Sequence, residues 1–252
     1  MTLAVPPRGL RPAGEQSRTG GIVEFCGLPG AGKSHIVDRV AACLAARGVR
    51  VNRPDQRVSA DVRALARVGR KATLAGAQVL ARPSTSARLA GAIRASRQPR
   101  PKDTVALTAQ WLLVQRLYTR VMARGGVGLV DEGVVQTLWT IGVRGEWSGI
   151  LGALRARSRD WVRPALVVVV DVPVPVAIRR LRARASRHSR TQMLELSRME
   201  RELDGGRVLL EDLLTWWASF GTGGLLRVAN PADRPPDMEI ARIVERIESM
   251  ST

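Results

Sequence analysis

Residues 21–34 read Gly21-Ile22-Val23-Glu24-Phe25-Cys26-Gly27-Leu28-Pro29-Gly30-Ala31-Gly32-Lys33-Ser34. The first six form a short, largely apolar run, and the next eight match G-x-x-x-x-G-K-S at every fixed position. Beyond them Ile36, Val37, Val40, Ala41 and Leu44 recur at helical spacing, and Gly48 stands where a helix end favours a left-handed residue. The stretch predicts strand, glycine loop, helix. Such a loop turns backbone N–H groups inward around a β-phosphate, and a helix starting near Lys33 adds the positive end of its dipole. Lys33, expected to be exposed at the loop–helix junction, would reach the β- and γ-phosphates of a nucleoside triphosphate, and the Ser34 hydroxyl would bind Mg²⁺. Gly27, Leu28, Pro29, Gly30, Ala31, Gly32, Lys33, Ser34 and the adjoining His35 make up the expected nucleotide-binding set.

Four more apolar runs follow, at 49–52, 127–130, 166–170 and 225–229, separated by stretches of helical character. Continuous apolar strands alternating with helices imply a parallel sheet covered on both faces, because an alternating strand would expose one face. The expected fold is α/β, a three-layer α/β/α sandwich around a five-stranded parallel sheet. Between the second and third strands, residues 58–80, 85–96 and 103–124 read as helices, the last closed by Gly125 and Gly126. This helical insertion over 57–124 is expected above the C-terminal strand ends, where ligands bind in open α/β sheets. At 252 residues the chain is long enough for one domain with a sizeable core. The expected division is a Pro-, Gly- and Arg-rich tail over 1–20 and a single domain over 21–252.

Composition narrows the classes. The tail has no apolar run of signal-peptide length, and the longest apolar stretch elsewhere, 165–170, is far too short to span a bilayer, so a cytoplasmic protein without a membrane partner is expected. Cys26 and Cys43 are the only cysteines and read as small core residues, excluding a disulfide framework or zinc site. Net charge is +18, and it is concentrated in 57–100, with ten basic residues against Asp61, and in 176–190, with six arginines and no acid. Nucleic acid is permitted by that charge but not favoured, since no aromatic stripe interleaves with the arginines.

Two further constellations suit phosphate chemistry. Residues 127–132 run Val-Gly-Leu-Val-Asp-Glu, placing Asp131 and Glu132 at a strand tip beside the glycine loop, where carboxylates hold a Mg²⁺-bound water or orient an acceptor. Asp55, after the second strand, is a third acid at that edge, readable as a general base or as a loop solubility residue. Arg179, Arg180, Arg182, Arg184, Arg187 and Arg190 follow the fourth strand. If helical, Arg180, Arg184 and Arg187 share one face and could close over a γ-phosphoryl group. The other reading is a solvated or RNA-facing helix.

Taken together these elements resemble the P-loop nucleoside-monophosphate kinase group, thymidylate kinase most of all. Arg53-Pro54-Asp55 is similar to the family's charged loop after strand two, Asp131-Glu132 to its Asp-Arg motif, and Arg180 to Arg187, as residues 176–192, to its arginine-rich lid. The resemblance implies a kinase using ATP and Mg²⁺, with Lys33, Asp131, Arg180, Arg184, Arg187 and Asp55 catalytic and with Ser34, Asp131 and Glu132 around the metal. It also implies a small-molecule acceptor, a nucleotide or nucleoside, under the inserted helices, with Gln110 and Arg116 as acceptor-side candidates, and it is compatible with a homodimer. Glu132 stands where the family has arginine, and His35 where it has threonine. Two other classes compete. A switch GTPase needs an N-K-x-D-like guanine-reading motif, which is absent, whereas a nucleic-acid-associated or regulatory ATPase would be served by Asp131-Glu132 and the positive charge.

Overall fold

The computed structural model describes residues 21–54, 64–156, 161–184, 191–219, 223–231 and 236–250. Five parallel strands, β1 (Ile22–Cys26), β2 (Val51–Asn52), β3 (Val127–Val130), β4 (Leu166–Asp171) and β5 (Gly224–Ala229), lie in the order β2-β3-β1-β4-β5. β1 is central and pairs Glu24 with Val130 on one side and with Val167 on the other. Every residue of β1 and β3 is buried, as are the first five of β4, which is why these strands read as unbroken apolar runs. β5 at the sheet edge is half exposed.

The helices among the described residues are α1 (Lys33–Ala46), α2 (Ala64–Ala81), α3 (Pro83–Ala95), α4 (Pro101–Arg124), α5 (Val134–Gly142), α6 (Ser148–Ala156), α7 (Val174–Ala183), α8 (Leu196–Ala218) and α9 (Asp237–Ser249). α1 buries Ile36, Val37, Val40 and Leu44 against the sheet and packs on α9, which offers Ile240, Ile243, Val244 and Ile247 at helical spacing. On β1's other side lie α4 and α5, with α8 behind α5. Trp111 of α4, Trp161 and Trp217 of α8 join these layers, with ring centroids 5.8 and 5.9 Å apart in tilted and edge-on contacts.

α2 and α3 pack on α4, which packs in turn on β3 and the central β1, so α4 ties the other two helices to the sheet. Pro83 and Pro101 open their helices at a position where the missing N–H costs nothing, and Gly125 ends α4 with φ 69°. The arginine-rich segment departs from expectation. α7 stops at Ala183, and Arg184 is already extended with ψ 125°, so Arg180 and Arg184 do not share one helical face. Asp55 and Arg187 lie outside the described residues. No described helix is long and apolar enough to cross a membrane.

Candidate nucleotide-binding site

The C-terminal ends of β1 and β3 open into a cleft of about 570 Å³. Its floor is the glycine loop. Gly32 has φ 86°, and a Cβ there would meet Nδ2 of Asn230 at 2.5 Å, so only glycine lets the loop turn under that side chain. The backbone N–H groups of Gly30, Gly32, Lys33 and Ser34 have no acceptor among the described residues. Those of Lys33 and Ser34 belong to the first turn of α1, whose N–H groups find no partner within the helix. Such a cradle suits a phosphate.

Lys33 is half-buried, not exposed, and its Nζ donates to the carbonyls of Gly27 at 2.9 Å and Leu28 at 3.2 Å. Burial lowers its pKa, opposed by the nearby carboxylates of Glu132 and Asp131. A desolvated cation whose partners among the described residues are carbonyls is one that a polyanion would stabilise. Ser34 donates from Oγ to Oδ2 of Asp131 at 2.6 Å, joining α1 to the tip of β3. Among the described residues no group of three or more His, Cys, Asp or Glu could cage a metal. The hydroxyl and carboxylate are hard oxygen donors, so a cation here would take its remaining ligands from phosphate and water, as Mg²⁺ does.

His35 and the exposed Glu132 border the cleft beside this pair. Arg180 borders it from α7, with Nη1 donating to Ala31 O at 3.3 Å and Nη2 to Pro231 O at 3.0 Å. Desolvation, then the neighbouring Arg179, lowers its pKa. Arg184 reaches the same cleft by the extended exit of α7. Arg116 does not border it, whereas Gln110 and Leu107 of α4 do.

Several residues that shape the site carry no signature in the sequence. Asn230, buried after β5, donates to Ala31 O at 2.7 Å and holds the loop from above. Glu24 is fully buried in β1, accepts from Tyr118 Oη at 2.8 Å and from the backbone N–H of Gln136 at 2.9 Å, and so anchors the start of α5. Its pKa is raised to about 7, burial outweighing those hydrogen bonds. Gly133, just before α5, must be glycine, since a Cβ would collide with Tyr118 Oη and the Glu24 carboxyl. Gln136 and Thr140 of that anchored helix, and Arg144 in the turn just beyond its end, line the cleft opposite the glycine loop at steps of four residues. Their i, i+4, i+8 spacing was the available signal, hidden in a segment of mostly buried apolar residues.

Comparison with known proteins agrees with this geometry. A family model described as AAA domain matches residues 22–205. No curated protein matches the chain significantly. The matched span covers the sheet through β4, the glycine loop, the inserted helices and the first turns of α8. The chain therefore belongs to this AAA-domain family of P-loop NTPase-like proteins, many of them kinases, and is a P-loop nucleotide-binding domain.

Proposed function

We propose that the protein is an ATP-dependent phosphotransferase that moves the γ-phosphoryl group to a small acceptor, with nucleotides and nucleosides the first class to test. One observation carries this reading. The glycine loop, the Ser34–Asp131 pair and two arginines share a single cleft with a second polar wall, Gln110, Thr140 and Arg144, that the triphosphate itself does not need. A hydrolase requires only water opposite its phosphates, whereas a transferase requires a second set of recognition groups.

In the proposed reaction an acceptor oxygen forms a bond to the γ-phosphorus, the bond to the β–γ bridging oxygen breaks, and ADP leaves with the electron pair. Asp131 or Glu132 takes the acceptor proton. Lys33 and the loop N–H groups hold the β- and γ-phosphates, Arg184 approaches the transferring group, and Arg180 fixes the loop by its bonds to Ala31 and Pro231. Ser34 and Asp131 would hold Mg²⁺, which would supply charge neutralisation at the phosphate oxygens. Glu132 replaces the arginine of the thymidylate-kinase pattern, so recognition of an acceptor phosphate, if the acceptor has one, passes to Arg144, in the turn after α5. In this reading the domain spans 21–252, with the arginine-rich segment 176–192 as its lid.

The exposed Glu132 in the cleft also suits a water-orienting role, which favours a regulatory or nucleic-acid-associated ATPase as the second reading. A screen with ATP labelled at the γ-position against nucleosides, nucleotides, sugars and small antibiotics separates the two. Label appearing on a small acceptor supports the transferase. Label released only as phosphate, and faster with added nucleic acid, overturns it.

A further inference from the structure

Gln136 is held at its backbone and at its side-chain oxygen. Its Oε1 accepts the backbone N–H of Gly27, the first residue of the glycine loop, at 3.2 Å, and its backbone N–H donates to Glu24 Oε1 at 2.9 Å. An amide has one carbonyl oxygen, and Gly27 offers a donor, so the orientation of the group is fixed. Nε2 therefore points away from Gly27, and no described residue accepts from it. Gln136 nonetheless borders the cleft together with Lys33, Ser34 and Asp131.

We propose that Gln136 is a further catalytic residue, whose side-chain N–H₂ donates to the attacking oxygen or the transferring phosphoryl group, and that buried Glu24 is its positioning residue. The proposal rests on the phosphotransferase reading of the cleft. A donor fixed before the reaction needs no reorganisation when charge develops, and one such donor is worth about 10²-fold in rate. Glu24 acts through the first turn of α5. Its carboxyl sits three residues before Gly27 on β1, so one strand sets both the loop and the helix that carries Gln136. Tyr118 completes the anchor, donating to Glu24 and accepting the N–H of Val134 at 3.3 Å.

The test needs no identified acceptor, because water serves as one. In slow hydrolysis of MgATP the water oxygen bonds to the γ-phosphorus, the bond to the bridging oxygen breaks, ADP leaves with the electron pair and the water proton passes to solvent. Gln136→Glu keeps an acceptor for Gly27 but has no donor, and Gln136→Met has neither. Single-turnover hydrolysis, MgADP affinity and Tm are measured for both, beside Lys33→Ala. Both variants are expected to lose about 10²-fold in hydrolysis, with MgADP affinity for Gln136→Met within about threefold of wild type. Hydrolysis by Gln136→Glu at the wild-type rate would leave Gln136 as a prop for Gly27 alone and overturn the proposal. A parallel loss of rate and MgADP affinity in Gln136→Met would do the same. If Lys33→Ala hydrolyses MgATP as fast as wild type, the phosphotransferase reading fails instead, which is a separate result.

Discussion

Oγ of Ser34, in the first turn of α1, donates to Oδ2 of Asp131, beyond the last residue of β3, across 2.6 Å and 97 positions of sequence. The contact places a hydroxyl and a carboxylate at the mouth of the phosphate cradle, where a cation could bridge protein and nucleotide.

Asp131→Asn tests that pairing. The amide still bonds Ser34 but carries no charge, so kcat is expected to fall about 10²-fold or more, while MgADP affinity changes little. The Mg²⁺ concentration giving half-maximal rate is expected to rise. Steady-state kinetics over a Mg²⁺ titration measures both, and an unaltered rate would contradict a role for Asp131 in the reaction.

Arg180 and Arg184 are expected to separate. Arg180 bonds the carbonyls of Ala31 and Pro231, so Arg180→Ala is expected to lower Tm as well as rate. Arg184 is exposed at the end of α7, and Arg184→Ala is expected to lower kcat about 10²-fold with Tm unchanged. If these side chains instead meet a nucleic-acid backbone, turnover stays normal and the salt dependence of nucleic-acid affinity becomes shallower by about one unit per lost contact.

Glu24 gives the fold a pH dependence whose sign is fixed by its environment. Its pKa rises from 4.5 to about 7 on folding, so the native state holds a proton that the unfolded chain has lost. The stabilisation is full below about pH 4.5 and disappears as pH rises through about 7, a swing on the order of a few kcal/mol. The titratable neighbours Tyr118 and Cys26 are pushed upward by the same burial and stay neutral over this range. Glu24→Gln can keep the bond from Gln136 and lacks the titration. Urea unfolding between pH 5 and 8 is expected to show wild-type stability falling with pH relative to this variant. Parallel profiles would contradict the assignment.

The sheet and its glycine loop were legible because their causes are local. Burial on both faces makes β1, β3 and β4 continuous apolar runs, and a phosphate cradle needs its glycines at fixed spacing. The strand at 127–130 and the ends of α4 follow from the same local rules, with Gly125 as the stop. What escaped depends on partners far along the chain. Nothing near Gln136 announces that Glu24, 112 residues earlier, will cap its helix, or that its side chain will reach Gly27. Asn230 reaches Ala31 across 199 positions, and without that contact it reads as a loop residue. The end of α7 at Ala183 also escaped, because the arginine spacing alone continues the helix.

The most direct measurement is γ-phosphoryl transfer from ATP, or its hydrolysis, by Lys33→Ala beside the wild type, with Tm recorded for each. Lys33 is desolvated and, among the described residues, bonded to the carbonyls of Gly27 and Leu28 alone, so its removal is not expected to cost the fold stability. The account predicts a rate lower by at least about 10²-fold and a Tm at or above that of the wild type. Wild-type turnover in a folded Lys33→Ala protein would contradict the assignment of Gly27 to Ser34 as the phosphate-binding loop.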